Sequence, residues 1–186
     1  MIRIQEYDQS WPEVCERIRA SLATILGPLA LFIDHIGSTS VPGMAAKDVI
    51  DVQITVGALT PEVTERLIDA GYRHKPHVTH DHVPAGEDAD PELWRKLFFI
   101  QPDGERRVNL HVRAAGRPNQ RYPLLFRDYL SAHPEAAKTI ERIKRELAAR
   151  FPHDIDAYYT IKEPVYDLVW RVAQAWESRE GRSAGE

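Results

Sequence analysis

The most constraining feature of this sequence is a nearly continuous run of β-branched residues at positions 49–56. Such residues are stiff at χ1 and pack well on a pleated surface, so the run predicts a β-strand. A strand of this continuous apolar character is typical of one that is covered on both faces. Asp51 and Gln53 interrupt the run, and the two-residue period of a strand puts them on one face, opposite Val52 and Ile54. The fold must therefore cover a strand that carries two polar side chains.

The patterns around this strand predict both helices and further strands. Residues 31–36 form a short apolar strand, and residues 97–101 and 106–113 flank an Asp-Gly pair, which is a hairpin signature. Apolar residues at helical spacing predict helices at residues 11–26 and 60–70 and through most of the chain after residue 119. The last helix, from about residue 154 to 176, is expected to break or shift at Pro164. This order predicts an α+β fold with a small mixed sheet, flanking helices and a helical C-terminal part.

The length of 186 residues suits one hydrophobic core. We predict a single domain over residues 1–178 and a frayed tail at residues 179–186, where the sequence is charged and rich in small residues. Cys15 is the only cysteine, so no intrachain disulfide can form, and its amphipathic surroundings predict a buried thiol. No pattern indicates a particular oligomeric state.

Charge and composition exclude several classes of protein. The net charge of −4 provides no overall field for nucleic acid, and no basic run accompanies the four tryptophans, which we therefore expect in the core. No apolar run approaches the roughly 20 residues that span a bilayer. The first ten residues are charged and do not resemble a signal peptide. These features predict a cytoplasmic protein without a membrane or nucleic-acid partner.

The segment after the strand at residues 31–36 is rich in glycine and hydroxyl side chains, including Gly37, Ser38 and Thr39. Glycine allows a ligand to approach the backbone closely, and hydroxyls donate hydrogen bonds to phosphate oxygens. A helical turn at this point would also favour an anion. The Gly-x4-Gly-Lys-Ser/Thr spacing of a P-loop is absent from the sequence. Two interpretations follow, a phosphate-binding loop or an ordinary turn.

Asp51 favours the first interpretation. A carboxylate in so apolar a strand is costly unless it is paired or binds a cation. Lys47 lies four residues earlier, and two roles fit it: an ion pair with Asp51 that orders the loop, or a contact with a bound phosphate.

Residues 35–47, followed by Ile50 and Asp51, resemble the signature of the GrpB-like family. The resemblance extends from Tyr7 to about Ala175. It is also carried by separate matches in the second half of the chain, at Asn109-Leu110-His111-Val112, Phe126-Arg127-Asp128-Tyr129-Leu130, His133-Pro134, Lys144, Tyr159 and Lys162.

The resemblance implies the nucleotidyltransferase fold of the DNA polymerase beta type. In active members of that superfamily, a glycine-serine loop holds the nucleotide phosphates. Two carboxylates spaced Asp-x-Asp and a third from a later strand bind two Mg²⁺ ions. The resemblance therefore implies a divalent metal, Mg²⁺ or Mn²⁺, and a nucleotide or phosphorylated small molecule as ligand. It places the phosphate-binding loop at Gly37 and Ser38. From this mapping and from the chemistry of the side chains, we take Gly37, Ser38, Thr39, Lys47, Arg127 and Lys162 as candidate phosphate-binding residues.

The chain departs from that pattern at two of the three carboxylate positions. Asp51 occupies the first, but the second is Gln53 and the third falls among Asn109, Leu110 and His111. His111 suits Zn²⁺ or Mn²⁺ or a general base. We therefore take Asp51, Gln53 and His111 as candidate metal ligands, and Asp51 and His111 as candidate catalytic residues. Two functions stay open: nucleotidyl transfer from an NTP to a small acceptor, or a catalytically degenerate protein that binds a nucleotide or phosphorylated ligand.

Other charged residues allow two interpretations each. Four histidines crowd one irregular segment and form either a transition-metal site or a solvated loop at the rim of a pocket: His74, His77, His80 and His82. Arg127 reaches a phosphate or pairs with Asp128. Lys144 lies in a charged run that, taken alone, is typical of a solvated helix face. Lys162 supplies positive charge to a pocket or to a helix end.

Overall fold

We analysed a computed structural model of the chain, which describes residues 1–180. In this range the chain forms a sheet and a set of helices in the following order: α1 (Trp11–Leu26), β1 (Ala30–Ile36), β2 (Ile50–Val56), α2 (Pro61–Asp69), β3 (Arg73–His74), α3 (Pro91–Trp94), β4 (Leu97–Ile100), β5 (Val108–Ala114), α4 (Pro118–Ala132), α5 (Pro134–Arg150) and α6 (Ile155–Glu180).

The sheet is mixed and has the strand order β1-β2-β5-β4-β3. Strands β2 and β5 are parallel, whereas the other neighbouring pairs are antiparallel. The register of the parallel pair sets Asp51 beside Asn109 and Gln53 beside His111. The two stretches of sequence that carry the candidate polar residues are therefore neighbours at the centre of the sheet.

Alternation along β2 and β5 gives the sheet two different faces. Ile50, Val52, Ile54, Leu110 and Val112 are fully buried and belong to the main hydrophobic core. Helices α1 and α2 cover this face with further buried side chains, among them Trp11, Leu22, Leu26, Val63 and Leu67. The opposite face carries the polar residues of the same two strands. The predicted placement of Asp51 and Gln53 opposite Val52 and Ile54 is confirmed.

The C-terminal helices α4, α5 and α6 pack on one another and cover the polar face. Their contacts form three further apolar clusters, one around Phe126 and Ile140, one around Leu125 and Trp170, and one around Leu147 and Tyr158. The predicted break at Pro164 is wrong, because α6 runs through it without interruption. A proline inside a helix removes one backbone hydrogen bond, and burial of the face that carries Trp170 and Ala173 offsets this loss.

Several local predictions are confirmed. The mixed α+β architecture is present, and β4 and β5 pair as an antiparallel hairpin. A turn at Pro102–Glu105 lies within their connection, with Gly104 at a φ of 81°. Cys15 and the four tryptophans are buried. The predicted tail lies mostly outside the described residues, which end at Glu180 in α6.

None of the helices described between residues 1 and 180 is both long and apolar enough to cross a membrane.

The central strand should dominate the stability of the fold. We expect Ile54→Ala to lower the free energy of unfolding by about 2–5 kcal/mol, because it removes a fully buried side chain from the main core. Urea denaturation measures this change. Leu168→Ala is the control, since Leu168 is 66% exposed on α6 and its loss should change stability by less than about 0.5 kcal/mol. Equal effects of the two substitutions would contradict this account of the core.

Candidate functional site

A cleft of about 680 Å³ opens between the polar face of the sheet and the C-terminal helices. Strands β2 and β5 form its floor, the segment before β2 and helix α6 form one wall, and the irregular segment between β3 and α3 forms the other. Polar and aromatic residues dominate the lining, which includes Gly37, Ser38, Lys47, Asp51, His80, Asp81, His82, Lys96, Arg107, Asn109, His111, Arg113, Asn119, Tyr122, Lys144, Tyr158, Tyr159, Lys162, Glu163 and Tyr166.

Asp51 lies at the centre of the floor. Its Oδ1 accepts a hydrogen bond from Asn109 Nδ2 at 2.8 Å and lies 3.7 Å from His111 Nε2. Burial alone would raise the pKa of Asp51, but interactions with His111 and Asn109 and the charge of Lys162 hold it below its usual value. Asp51 is therefore a carboxylate at neutral pH, and 28% of its side chain is exposed to the cleft.

Gly37 permits the close approach of the loop to this carboxylate. Its φ of 72° and ψ of −171° belong to a region that only glycine occupies readily. A β-carbon at this position would lie 2.6 Å from Asp51 Oδ2, well inside van der Waals contact. A short 3-10 turn, Ser38–Ser40, follows and directs Ser38 into the cleft. The predicted proximity of the glycine-serine loop and Asp51 is thus observed.

Two of the predicted phosphate ligands have other partners. The Thr39 hydroxyl is buried, lies 2.9 Å from His35 Nε2 and donates to the Val49 carbonyl oxygen at 3.4 Å. Thr39 lines the cleft, but both of these hydroxyl contacts are made within the protein, where they stabilise the loop. Arg127 lies outside the cleft lining and donates to the His35 carbonyl oxygen and to Asp128. The alternative interpretation of Arg127, an internal ion pair, is the one that the structure supports.

Lys47 and Lys162 both reach the cleft, as predicted. Lys47 Nζ donates to the Tyr159 hydroxyl at 3.0 Å and lies 4.8 Å from the centre of that ring. Lys162 Nζ lies 4.7 Å from the same centre and 4.5 Å from that of Tyr166. Burial lowers the pKa of Lys162. The predicted alternative of an ion pair between Lys47 and Asp51 is not formed, so both ammonium groups face aromatic rings and open space.

Lys144 is buried, contrary to its interpretation as a solvated side chain. Its Nζ donates to the Ala45 carbonyl oxygen at 2.8 Å, and Glu141, one turn earlier on α5, accepts a hydrogen bond from the Ala45 amide. Lys144 and Glu141 thereby bind the backbone carbonyl and the backbone amide of Ala45, which precedes Lys47 in the loop. Burial, together with the charge of Lys162, lowers the pKa of Lys144 to about 7.

A buried charge network lies at the deep end of the cleft. Asp81 accepts hydrogen bonds from Lys96 at 2.6 Å, from Arg113 at 2.8 and 2.9 Å, and from Asn119 at 3.1 Å. Burial alone would raise the pKa of Asp81, but Arg113 and Lys96 hold it far below its usual range. Sequence reasoning missed this network. The one available signal was Arg113, which continues the alternation of Asn109 and His111 along β5.

The four histidines do not form a metal site. His74 stacks on Phe99, His80 lies 2.8 Å from the hydroxyl of Thr79, and His82 contacts Asp167. Among the described residues, no group of three or more His, Cys, Asp or Glu side chains is arranged to hold a metal ion. The other interpretation is confirmed, because His80 and His82 line the cleft.

Side chains tie the irregular segment to α6 at the mouth of the cleft. His82 Nε2 lies 3.0 Å from an Asp167 carboxylate oxygen. Further along, Glu87 accepts a hydrogen bond from Trp170 Nε1 at 2.7 Å, and Arg171 donates to the Ala85 carbonyl oxygen at 2.6 Å. On the α6 side, each of these contacts is made by a side chain, that of Asp167, Trp170 or Arg171.

The residues present do not fit a two-metal site. Gln53, the second predicted ligand, is fully buried, with its Oε1 accepting from Arg113 at 2.8 Å and its Nε2 donating to the Gln120 carbonyl oxygen at 2.9 Å. It is not part of the cleft lining. Asp51 is then the one carboxylate of the predicted set, and two Mg²⁺ ions need more anionic oxygens than it supplies. Gln53 therefore presents no free ligand atom to the cleft in this structure, and its role as a metal ligand stays a prediction.

Gly37→Ala tests the close approach of the loop to Asp51. We expect it to lower the free energy of unfolding by about 3 kcal/mol, since backbone strain alone costs about 1–3 kcal/mol and Asp51 must also move. Gly43→Ala is the matched control, because Gly43 also has a positive φ but a β-carbon there meets nothing within 4 Å. Its cost should be about 1 kcal/mol by urea denaturation. Equal costs would show that the contact with Asp51 is unimportant.

Acid should destabilise the fold through His35 and His111. Burial lowers the pKa of each to about 4, from an ordinary value of 6.5. Between these values the unfolded chain binds more protons than the folded one, so stability falls as the pH is lowered. For His111 we expect a loss of about 1 kcal/mol between pH 6.5 and 5.5. Urea denaturation at both pH values measures it. The loss should shrink in His111→Asn and persist in His153→Asn, which changes an exposed histidine; a persistent loss in both variants would contradict the assignment.

Comparison with known proteins places the chain among relatives that differ in length. A family model described as GrpB protein matches residues 1–171. A protein of Mycolicibacterium paratuberculosis named dephospho-CoA kinase is 40% identical over 196 residues, which cover 97% of this chain and 48% of the relative. The chain thus spans about half the length of the curated relatives that it matches first.

Solved structures agree with the family model. The crystal structure of the conserved protein GrpB from Enterococcus faecalis is 25% identical, has a TM-score of 0.74, and covers 94% of this chain with 100% of its own. The Cid1 poly(U) polymerase with Mg 3′-dATP bound is 12% identical and has a TM-score of 0.51, with 85% of this chain and 49% of that chain covered. This second likeness shows the fold alone, which is nucleotidyltransferase-like. The match over residues 1–171 shows that the chain belongs to the GrpB family.

Proposed function

We propose that this chain binds a nucleotide or a related phosphorylated small molecule in the cleft. The observation that carries the proposal is the convergence of Lys47, Lys144 and Lys162 on one wall. None of the three pairs with a carboxylate among the described side chains, where the lysine ion pairs are those of Lys96 and Lys138. Like charges that are gathered in a half-buried place without counterions favour an anionic ligand.

The balance of charge in the cleft supports the same ligand class. Its lining contains six Lys and Arg side chains against three Asp and Glu side chains, although the whole chain has a net charge of −4. The positive potential is therefore local to the cleft. Glycine at position 37 and the hydroxyl of Ser38 lie at the same place, where a phosphate group could accept hydrogen bonds from the loop. A phosphorylated ligand satisfies both features.

The tyrosines on α6 suit the remainder of such a ligand. Tyr158, Tyr159 and Tyr166 line the wall beside the lysines. Aromatic rings offer apolar faces for a base or a sugar, and they strengthen the positive wall by holding the lysine side chains in place. A nucleotide would contact both the lysines and the tyrosines of this wall, whereas inorganic phosphate would contact the lysines alone.

A thermal-stability screen tests the proposal. The ligands are ATP, GTP, dephospho-CoA, pyrophosphate and inorganic phosphate, and dephospho-CoA is included because of the name of the longer relatives. A ligand at a hundred times its dissociation constant should add about 2.7 kcal/mol to the free energy of unfolding. We expect nucleotides to stabilise more than inorganic phosphate does. If none of these anions stabilises the chain at millimolar concentration, the proposal is wrong.

Lys144→Met should weaken the binding of ATP and pyrophosphate by about ten- to a hundredfold, the equivalent of one lost charge-assisted hydrogen bond. Isothermal titration calorimetry measures the change. Lys138→Met is the matched control on the same helix, because the Lys138 side chain is 73% exposed and pairs with Glu135. It should leave the affinity unchanged.

Because Lys144 also holds Ala45, Lys162→Met provides a second test that does not disturb the loop. It should reduce affinity to a similar extent. Unchanged affinity in both folded variants would show that the lysine wall does not bind the ligand.

Nucleotidyl transfer to a small acceptor is the second candidate function. It is favoured by the nucleotidyltransferase-like fold and by the position of Asp51 opposite the glycine-serine loop. The family resemblance associates this reaction with a divalent metal. Asp51, Gln53 and His111 do not fit a two-metal site, so we propose no reaction step that uses a metal ion.

Asp51→Asn distinguishes the two candidates. For a binding protein, removal of a negative charge from a positive cleft should leave ATP affinity unchanged or increase it. For a transferase, the same variant should lose the release of pyrophosphate from ATP that the unaltered chain shows with an acceptor present. Pyrophosphate release by the unaltered chain, abolished in Asp51→Asn, would favour the second candidate.

A further inference from the structure

Arg113 contacts two of the three predicted metal ligands, Gln53 and His111. Its guanidinium is buried and donates a hydrogen bond to Gln53 Oε1 at 2.8 Å. It lies 3.3 Å from His111 Nδ1, and it donates to both oxygens of Asp81. One fixed positive charge therefore contacts both Gln53 and His111.

The contact with Arg113 determines which nitrogen of His111 carries the proton. A guanidinium has donors and no acceptor, so His111 Nδ1 must accept the hydrogen bond. In a neutral imidazole the single proton then lies on Nε2, which faces Asp51 Oδ1 at 3.7 Å. A metal ion needs a lone pair on the coordinating nitrogen. The nitrogen that faces the cleft is a donor here, which argues against the predicted roles of His111 as metal ligand and as general base.

The same hydrogen-bond network also occupies the polar atoms of Gln53 and Asp81, which could otherwise coordinate a metal ion. Both polar atoms of the Gln53 amide have buried partners, and both oxygens of Asp81 are bound to Lys96, Arg113 or Asn119. Asp51 keeps a carboxylate that is 28% exposed, and Glu163 on α6 is the other carboxylate of the described cleft lining that lies outside this network. A divalent cation at Asp51 would also be repelled by the net positive charge of the buried network, in which Asp81 balances one of the two charges of Arg113 and Lys96.

We propose that the cleft binds its phosphorylated ligand without a divalent cation, because Arg113 turns His111 into a hydrogen-bond donor and Lys47, Lys144 and Lys162 neutralise the phosphate charge. This inference rests on the proposed function, since it specifies how the same cleft binds the same class of ligand. It departs from the two-ion arrangement that the fold implies. Asp51 then acts as an acceptor for ligand hydroxyl groups.

Calorimetric titration of the full chain with ATP and with pyrophosphate tests this inference, once with EDTA and once with Mg²⁺. We expect binding in EDTA to be at least as tight as in Mg²⁺, since the metal-free anions carry more charge to the lysines. An affinity that is tenfold or more weaker in EDTA overturns the inference while it leaves the proposed function intact. Binding in neither condition refutes the proposed function, and this inference falls with it.

A second measurement tests the tautomer directly and needs no ligand. Long-range ¹H–¹⁵N NMR correlations distinguish the two neutral forms of an imidazole, and His111→Asn identifies the resonances of His111 by their loss. We expect a neutral ring at pH 7 with its proton on Nε2. A proton on Nδ1, or a large shift of these resonances on addition of Zn²⁺ or Mn²⁺ to the unaltered chain, would show that His111 is available to a metal and would overturn the inference.

Discussion

The buried pairing of Arg113 with Asp81 is the interaction on which the site depends. Two charges inside a protein are costly to desolvate and are tolerated only when their hydrogen-bonding capacity is satisfied. Here Lys96 and Asn119 complete the coordination of Asp81, while Gln53 and His111 receive the remaining donors of Arg113. The pair therefore joins β5, β2, α4 and the irregular segment at one point. The polar face of the sheet keeps its shape because this network gives both buried charges hydrogen-bonding partners.

The sequence predicted the parts of the fold that depend on local pattern. The β-branched run at positions 49–56, the Asp-Gly turn and the amphipathic helices all gave correct elements, since strand and helix periods and turn chemistry act over a few residues. The resemblance to the GrpB family supplied the fold type and the proximity of Gly37 to Asp51. The expected break at Pro164 failed because tertiary packing of α6 outweighs the loss of one backbone hydrogen bond.

The functional residues that sequence reasoning missed are those whose environment is set by distant parts of the chain. Lys144 lies in a charged run, and its burial depends on the Ala45 carbonyl, 99 residues away. Asp81 lies among histidines, and its role depends on Arg113, which follows it by 32 positions. The sequence pattern places Gln53 at the second carboxylate position of the strand, which is why we took it as a candidate metal ligand. The pattern does not show that its amide is hydrogen-bonded to Arg113 and to the Gln120 carbonyl oxygen. Hydrogen bonds between side chains at such separations leave no periodic signal.

The cleft that results is rich in donors and poor in acceptors. Nucleotide-binding sites of this fold can neutralise phosphate with metal ions or with side chains, and the contacts of Arg113 and the three lysines favour side chains.

The attachment of the irregular segment to α6 has an optical consequence. The indole of Trp170 donates its hydrogen bond to Glu87, so the emission of this ring depends on whether the segment rests on the helix. Trp94 lies at the end of α3, which follows the segment, and donates to the Asp88 carbonyl oxygen, whereas Trp11 is buried on the far side of the sheet. Intrinsic fluorescence of the native chain thus reports, through Trp170, whether the irregular segment is in contact with α6.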